Sequence, residues 1–195
     1  MNDAPTTNRQ ETGMARLTLM DPASAPDAVG KVLAGTPLNL FRIVAHAESA
    51  FEPWLKYGAA LLTRLELDPL LRELAILQVA HLVESRYEWV QHVSIAHSVG
   101  ASDEQIAAVE NDGEDNPSLT NPQREVLRFT REVVLEGAAS EQLMADLVSR
   151  LGDRQVVELL LVVGHYMAIA RLIATTGLEP DPPLVSLTAR AEREG

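Results

Sequence analysis

The sequence predicts an all-α fold from two kinds of signal. Helix start signals recur along the chain, whereas alternating Val, Ile and Thr runs bounded by hairpin dipeptides are absent. Three starts carry a capping residue before a helix: Asp68 with Pro69, Asn121 with Pro122, and Ser102 with Gln105. Glycines stand where left-handed helix ends are expected: Gly100, Gly137, Gly152 and Gly177.

The spacing of apolar residues between these signals predicts the helices in order. They cover residues 27–33, 38–47, 51–65, 69–83, 86–99, 103–109, 122–136, 140–150 and 154–176, joined by short loops. We expect residues 1–16 to form a flexible leader, residues 17–178 one helical domain, and residues 179–195 a proline-rich and charged C-terminal arm.

Composition narrows the class of protein. The chain has 195 residues, of which 46% are apolar, so one domain with a sizeable core can form. Sixteen Lys and Arg stand against 28 Asp and Glu, a formal charge of -12 that argues against a nucleic acid partner. There is no cysteine, which excludes disulfides, thiolate metal sites and a cysteine nucleophile.

Membrane and secretory signals are weak. The longest apolar run, residues 159–174, contains His165 and Arg171 and is shorter than the roughly 20 residues of a membrane span. The polar N-terminus lacks the basic start and apolar stretch of a secretory signal. We therefore expect a cytoplasmic protein without a membrane partner.

The densest group of titratable residues lies between residues 72 and 97. Within one predicted helix, Ser85, Glu88 and His92 share a face because they are three and four residues apart. Glu73 lies on the preceding helix and reaches this face only through the tertiary fold. The simplest alternative is that Ser85 and Glu88 form a capping box and that Glu88 and His92 form a solvated pair.

Metal and cofactor motifs are absent from the sequence. It has no His-Glu-x-x-His, no glycine-rich phosphate loop and no Gly-x-Ser-x-Gly elbow. We therefore predict neither a metal nor another cofactor.

Several segments together resemble the carboxymuconolactone decarboxylase family. The resemblance rests on residues 71–77, 87–92 and 96–106, with residues 37–42 and 45–46 as a similar lead-in, and it extends over roughly residues 35–178. It implies the helical fold of alkyl hydroperoxidase D and assembly of identical chains into a dimer, trimer or hexamer. It also implies a small-molecule substrate.

The family's peroxidase branch carries a Glu followed twelve residues later by Cys-x-x-Cys-x-x-x-His. The matching positions here are Glu73, Ser85, Glu88 and His92, so both cysteines are replaced. Reduction of peroxide by a dithiol is therefore excluded. The pattern is similar to the cysteine-free branch, whose named activity is cofactor-free decarboxylation of a lactone acid.

The resemblance and the residue types together predict acid/base catalysis. We expect His92 to be the acid/base, Glu73 to orient it or a water molecule, and Glu88 to hold a second proton. Two carboxylates close together in an apolar pocket repel each other, so at least one should have a raised pKa. Further candidates for substrate binding are Tyr87, Trp89, Ser85, Asn39 and Arg72, although packing, capping and ion pairing explain the same residues.

The resemblance leads us to predict a cofactor-free lyase that decarboxylates a small lactone or keto acid, with two alternatives to it. A lactone acid or keto acid brings carboxylates that would need Arg72, Arg86 or Arg42 as partners. A neutral carbonyl compound undergoing isomerisation, dehydration or ring opening suits an acidic pocket equally well. A non-catalytic oligomeric protein, with these side chains sealed in a polar network, is the remaining alternative.

Overall fold

The computed structural model describes residues 16–36, 38–111, 113 and 115–181, and within them the fold is all-α, as predicted. The predicted leader, apart from Arg16, and most of the predicted C-terminal arm lie outside the described residues. The helices are α1 Asp27–Gly35, α2 Asn39–Val44, α3 Glu48–Thr63, α4 Pro69–Leu82, α5 Arg86–Ser98, α6 Asp103–Glu110, α7 Asn121–Glu136 and α8 Glu141–Thr176.

Two of the three predicted helix starts are confirmed. The Asp68 carboxylate accepts from the first backbone N–H groups of α4, and Ser102 forms a capping box with Gln105 at α6. At α7 the prediction was wrong by one residue. Thr120 has the extended backbone of a cap, and its N–H donates to the Gln123 side chain at 2.8 Å, so Asn121 is already helical.

All four predicted glycine stops have positive φ angles, between 65° and 99°. The one at Gly152 lies inside α8, where φ is 79° and ψ is 163°, a conformation outside the helical range. It divides α8 into two parts where the sequence predicts a break between residues 150 and 154. A backbone in this region favours glycine because a Cβ atom would be strained there.

Helix α4 is the centre of the domain. Every residue from 71 to 80 is buried, and α4 packs against α5, α6, α7 and α8. Its buried face includes Arg72 and Glu73, so charged groups enter the core here.

Helix α8 is long and apolar enough to cross a membrane by length and composition alone, but 56% of its most apolar 18-residue window is buried within the protein.

One buried carboxylate joins distant parts of the chain. Glu158 of α8 accepts a hydrogen bond from the backbone N–H of Leu67 at 2.8 Å, across 91 residues. Its other oxygen accepts from Arg154 at 3.1 Å. The Leu67 N–H is buried away from water, so the Glu158 carboxylate supplies the acceptor that this backbone donor needs in the loop before α4.

We predict that Glu158→Leu lowers the free energy of unfolding by about 1–3 kcal/mol, since it leaves the Leu67 N–H buried without an acceptor. Glu158→Gln keeps an acceptor oxygen of the same reach and should recover most of that loss. Urea unfolding of the three proteins gives the comparison. Equal losses in the two variants would contradict this role for the Glu158 oxygen.

Candidate active site

A largely apolar cavity of about 330 Å³ lies between α2, α3, α5 and α8. Its apolar wall includes Leu38, Leu40, Phe41, Trp54, Leu55, Leu62, Ile95 and Ile169. Its polar residues are Tyr87, Glu88, Gln91, His92, His165 and Tyr166. A cavity of this size lies at the lower end of small-molecule sites, and few polar groups determine how a ligand is oriented in it.

A buried network of hydrogen bonds connects Arg72, Glu73 and His92 and ends at the cavity. The Nδ1 atom of His92 lies 2.7 Å from one carboxylate oxygen of Glu73, which is fully buried. Arg72 donates to the other Glu73 oxygen at 2.9 Å and to the Leu62 carbonyl at 2.7 Å. Since Glu73 accepts, Nδ1 carries the hydrogen, and Nε2 of a neutral His92 keeps its lone pair. The fold thus brings Glu73 to His92, as predicted, with Nε2 available as a base.

Glu88 borders the same cavity in a different electrostatic state. Both of its carboxyl oxygens are buried and lack a hydrogen-bond partner among the described residues. Burial raises the pKa of Glu88 to about 8, and the Ser85 hydroxyl lowers it to a smaller extent. Glu88 is therefore a neutral carboxylic acid at pH 7, which can donate a proton or a hydrogen bond.

The capping-box explanation of Ser85 and Glu88 is wrong. Ser85 precedes α5, but its hydroxyl makes no capping hydrogen bond and is buried without a partner among the described residues. The Glu88 carboxyl does not reach back to the helix start either. Neither side chain is explained by helix ends, and of the two only Glu88 lines the cavity.

Tyr166 of α8 also belongs to the site, which the sequence reasoning missed. Its ring packs edge-on against the His92 ring, with 4.8 Å between centroids. Burial, with the Glu73 and Glu88 carboxyls nearby, raises the pKa of the Tyr166 hydroxyl well above its usual value. The available signal was the pair of consecutive polar residues, His165 and Tyr166, within the otherwise apolar run of α8.

Tyr87 and Asn39 meet at one edge of the cavity through a residue of the predicted arm. The Tyr87 hydroxyl donates to the Asp181 carboxylate, which also accepts from the Asn39 backbone N–H at 2.8 Å. Gln91 donates to the Asp181 carbonyl at 2.9 Å. Burial and Asp181 together raise the pKa of Tyr87. Asn39 thus contributes its backbone to this edge.

The remaining predicted binding residues lie elsewhere. Trp89 packs against the His81 ring and borders a separate surface groove, together with Ser85 and Arg86. Arg72 is engaged with Glu73, and Arg42 donates to the Met20 carbonyl at 2.9 Å. Among the described residues, no Arg or Lys lines the cavity.

Metal ligands are not assembled in the described part of the chain, where no group of three His, Asp or Glu side chains is placed to hold an ion. Glu73 and His92 are hydrogen-bonded to each other, and Arg72 supplies a positive charge beside Glu73.

Solved structures share this fold. A peroxidase-related protein from Ralstonia eutropha, described as an alkylhydroperoxidase AhpD core, superposes with a TM-score of 0.74 at 19% identity, covering 86% of this chain and 92% of that one. A peroxidase-related protein from a Silicibacter species gives 0.75 at 18%, covering 90% and 96%. A protein of unknown function from Agrobacterium tumefaciens gives 0.63 at 16%, covering 70% and 94%. The fold is that of the alkyl hydroperoxidase D class.

The family match is more local. Residues 48–115, from α3 to α6, match the profile of the Carboxymuconolactone decarboxylase family. This confirms the predicted resemblance, and the segment contains Glu73, Glu88 and His92. No curated protein matches the sequence significantly.

We predict that Glu88 makes stability fall as pH rises. Its folded pKa of about 8 lies above the ordinary value of 4.5, so the folded state binds the proton more tightly than the unfolded state. The contribution is fully present below pH 4.5 and is lost between pH 4.5 and 8, with a total on the order of 5 kcal/mol.

The measurement is urea unfolding from pH 5 to 9 for the wild type and for Glu88→Gln, which cannot ionise. The variant should gain stability relative to the wild type as pH rises. Glu136→Gln, at an exposed position, is the matched control and should follow the wild type. A constant difference between Glu88→Gln and the wild type over this range would contradict the raised pKa.

Proposed function

We propose that this protein is a cofactor-independent enzyme that moves a proton on a small, neutral carbonyl compound and so isomerises it. The single observation that carries the proposal is the contrast within one cavity. An imidazole with a free Nε2 lone pair and a protonated carboxyl border it, whereas no described cationic side chain faces it.

The proposed reaction needs no other reactant. The His92 Nε2 atom takes a proton from the carbon next to the carbonyl, and the electron pair of that C–H bond moves toward the carbonyl oxygen to form an enolate. In a β,γ-unsaturated ketone the proton then returns to the γ carbon while the C=C bond shifts next to the carbonyl, which gives the conjugated isomer and restores neutral His92. Positioned acid/base groups of this kind contribute about 10²–10⁴-fold to rate.

The other groups stabilise the charge that forms. The Glu73 carboxylate accepts from Nδ1 and thereby favours the imidazolium, while Arg72 offsets the Glu73 charge in the core. Glu88, as a neutral acid, supplies a hydrogen bond or a proton to the enolate oxygen. In apolar surroundings such a contact is stronger than in water.

Decarboxylation of a lactone acid or keto acid is the second candidate. The apolar wall favours it, because loss of CO₂ disperses the charge of a carboxylate that has left water. The lack of a cation at the cavity disfavours binding of that carboxylate. We therefore favour isomerisation of a neutral carbonyl compound over decarboxylation. Thiol-dependent peroxide reduction is excluded for a chain without cysteine.

A catalytic role is also better supported than a purely structural one. A polar network that only holds an assembly together would be sealed, whereas His92 borders a cavity of substrate size. We also propose that the protein assembles as a homo-oligomer and is cytoplasmic.

We predict that the protein converts 3-cyclohexen-1-one to 2-cyclohexen-1-one, followed by the ultraviolet absorbance of the conjugated product. His92→Ala should lower the rate by about 10²–10⁴-fold while leaving folding intact, because the base is lost. His97→Ala removes an exposed histidine at the end of α5, so it is the control and should keep wild-type activity.

Normal turnover in His92→Ala would remove this residue from the mechanism. Release of CO₂ from a small keto acid, with no isomerisation of the ketone, would place decarboxylation first instead.

A further inference from the structure

We propose that His165 binds the carbonyl oxygen of the substrate, as a second polar contact in the cavity apart from the Glu88 and His92 pair. The inference rests on the proposed function for its substrate class, a small neutral carbonyl compound. It concerns a residue of α8 outside the segment that matches the family profile.

The His165 ring is held by packing rather than by hydrogen bonds. Its centroid lies 5.0 Å from the Tyr57 ring, 5.6 Å from Trp54 and 5.6 Å from Tyr166. The residue is only 8% exposed, and none of the described residues hydrogen-bonds to its nitrogens. The ring lines the cavity, where a ligand or water molecule can supply the hydrogen bond that no described residue makes.

Gly58 keeps one ring nitrogen open to the cavity. It lies inside α3 and lines the cavity, and a Cβ atom there would be 3.3 Å from the Nε2 atom of His165. Its φ angle is not positive, so the backbone does not require glycine. Glycine inside a helix is less favourable than alanine. Space at the His165 Nε2 atom therefore explains the residue type.

The charge state of His165 fits a neutral ligand. Burial lowers its pKa, so the ring is neutral at pH 7 and carries one N–H donor and one acceptor. The donor can bind a carbonyl oxygen without bringing a net charge into the apolar cavity. Tyr166 contacts both the His165 and His92 rings, so a molecule in the cavity can meet both imidazoles.

The test measures binding, so that it does not depend on turnover. The full-length protein is titrated with cyclohexanone and with cyclohexene, which has the same ring size but no oxygen, and histidine ¹⁵N shifts are followed by NMR. In the wild type, cyclohexanone should shift the His165 nitrogens and cyclohexene should not. His165→Phe, which keeps a planar ring, should weaken cyclohexanone binding by about three- to tenfold and leave cyclohexene binding unchanged.

A second variant tests the same contact while keeping the histidine. Gly58→Ala narrows the space at Nε2 and should also weaken cyclohexanone binding selectively. Gly164→Ala is the matched control, since a Cβ atom there meets nothing within 4 Å. Unchanged cyclohexanone affinity in His165→Phe, an equal loss for both ligands, or no cyclohexanone binding by the wild type would overturn the proposal. So would unchanged affinity in Gly58→Ala.

His92→Ala separates the two proposals. It should lose isomerase activity but still bind cyclohexanone more tightly than cyclohexene, because His165 is intact. If His165→Phe loses cyclohexanone binding selectively and the wild type has no isomerase activity, the proposed function is refuted and the His165 contact is supported. If the wild type is an active isomerase and His165→Phe binds cyclohexanone as tightly as the wild type, the proposed function is supported and the His165 contact is refuted.

Discussion

The buried ion pair between Arg72 and Glu73 is the interaction on which the site depends. Glu73 is fully buried in the central helix, and a carboxylate there is tolerated because Arg72 and His92 satisfy both of its oxygens. The same pair orients the His92 ring and determines which nitrogen holds the hydrogen. The core of the domain and the state of the proposed base are therefore one arrangement, and α4 serves both.

The two glutamates near the cavity, Glu73 and Glu88, have different electrostatic surroundings. Glu73, beside Arg72, has a cation to offset its charge, whereas Glu88 has none and is neutral at pH 7. Two glutamates close to one histidine thus have different roles, as a hydrogen-bond acceptor and as an acid. This difference does not come from residue type. Arg72 pairs with the Glu73 carboxylate, whereas burial raises the pKa of Glu88.

Much of the fold was accessible from the sequence because local chemistry determines it. Asp68 and Ser102 cap helices through their own side chains, and the four glycines end helices through their own backbone conformations. The pairing of Glu73 with His92 came from a resemblance to a family motif, since their spacing along the chain places them on different helices. Tyr166, His165 and Asp181 were missed because each reaches the site through tertiary packing. Trp89 was assigned to the cavity by adjacency to Glu88, but neighbours on a helix point in different directions.

Asp181 shows how widely the edge of the cavity is distributed along the chain. One carboxylate and its backbone carbonyl hold the start of α2 and two side chains of α5. These three parts of the protein are far apart in sequence but meet at one place. An exchange of segments between relatives of this fold would therefore preserve the edge only if residues 39, 87–91 and 181 came from the same parent.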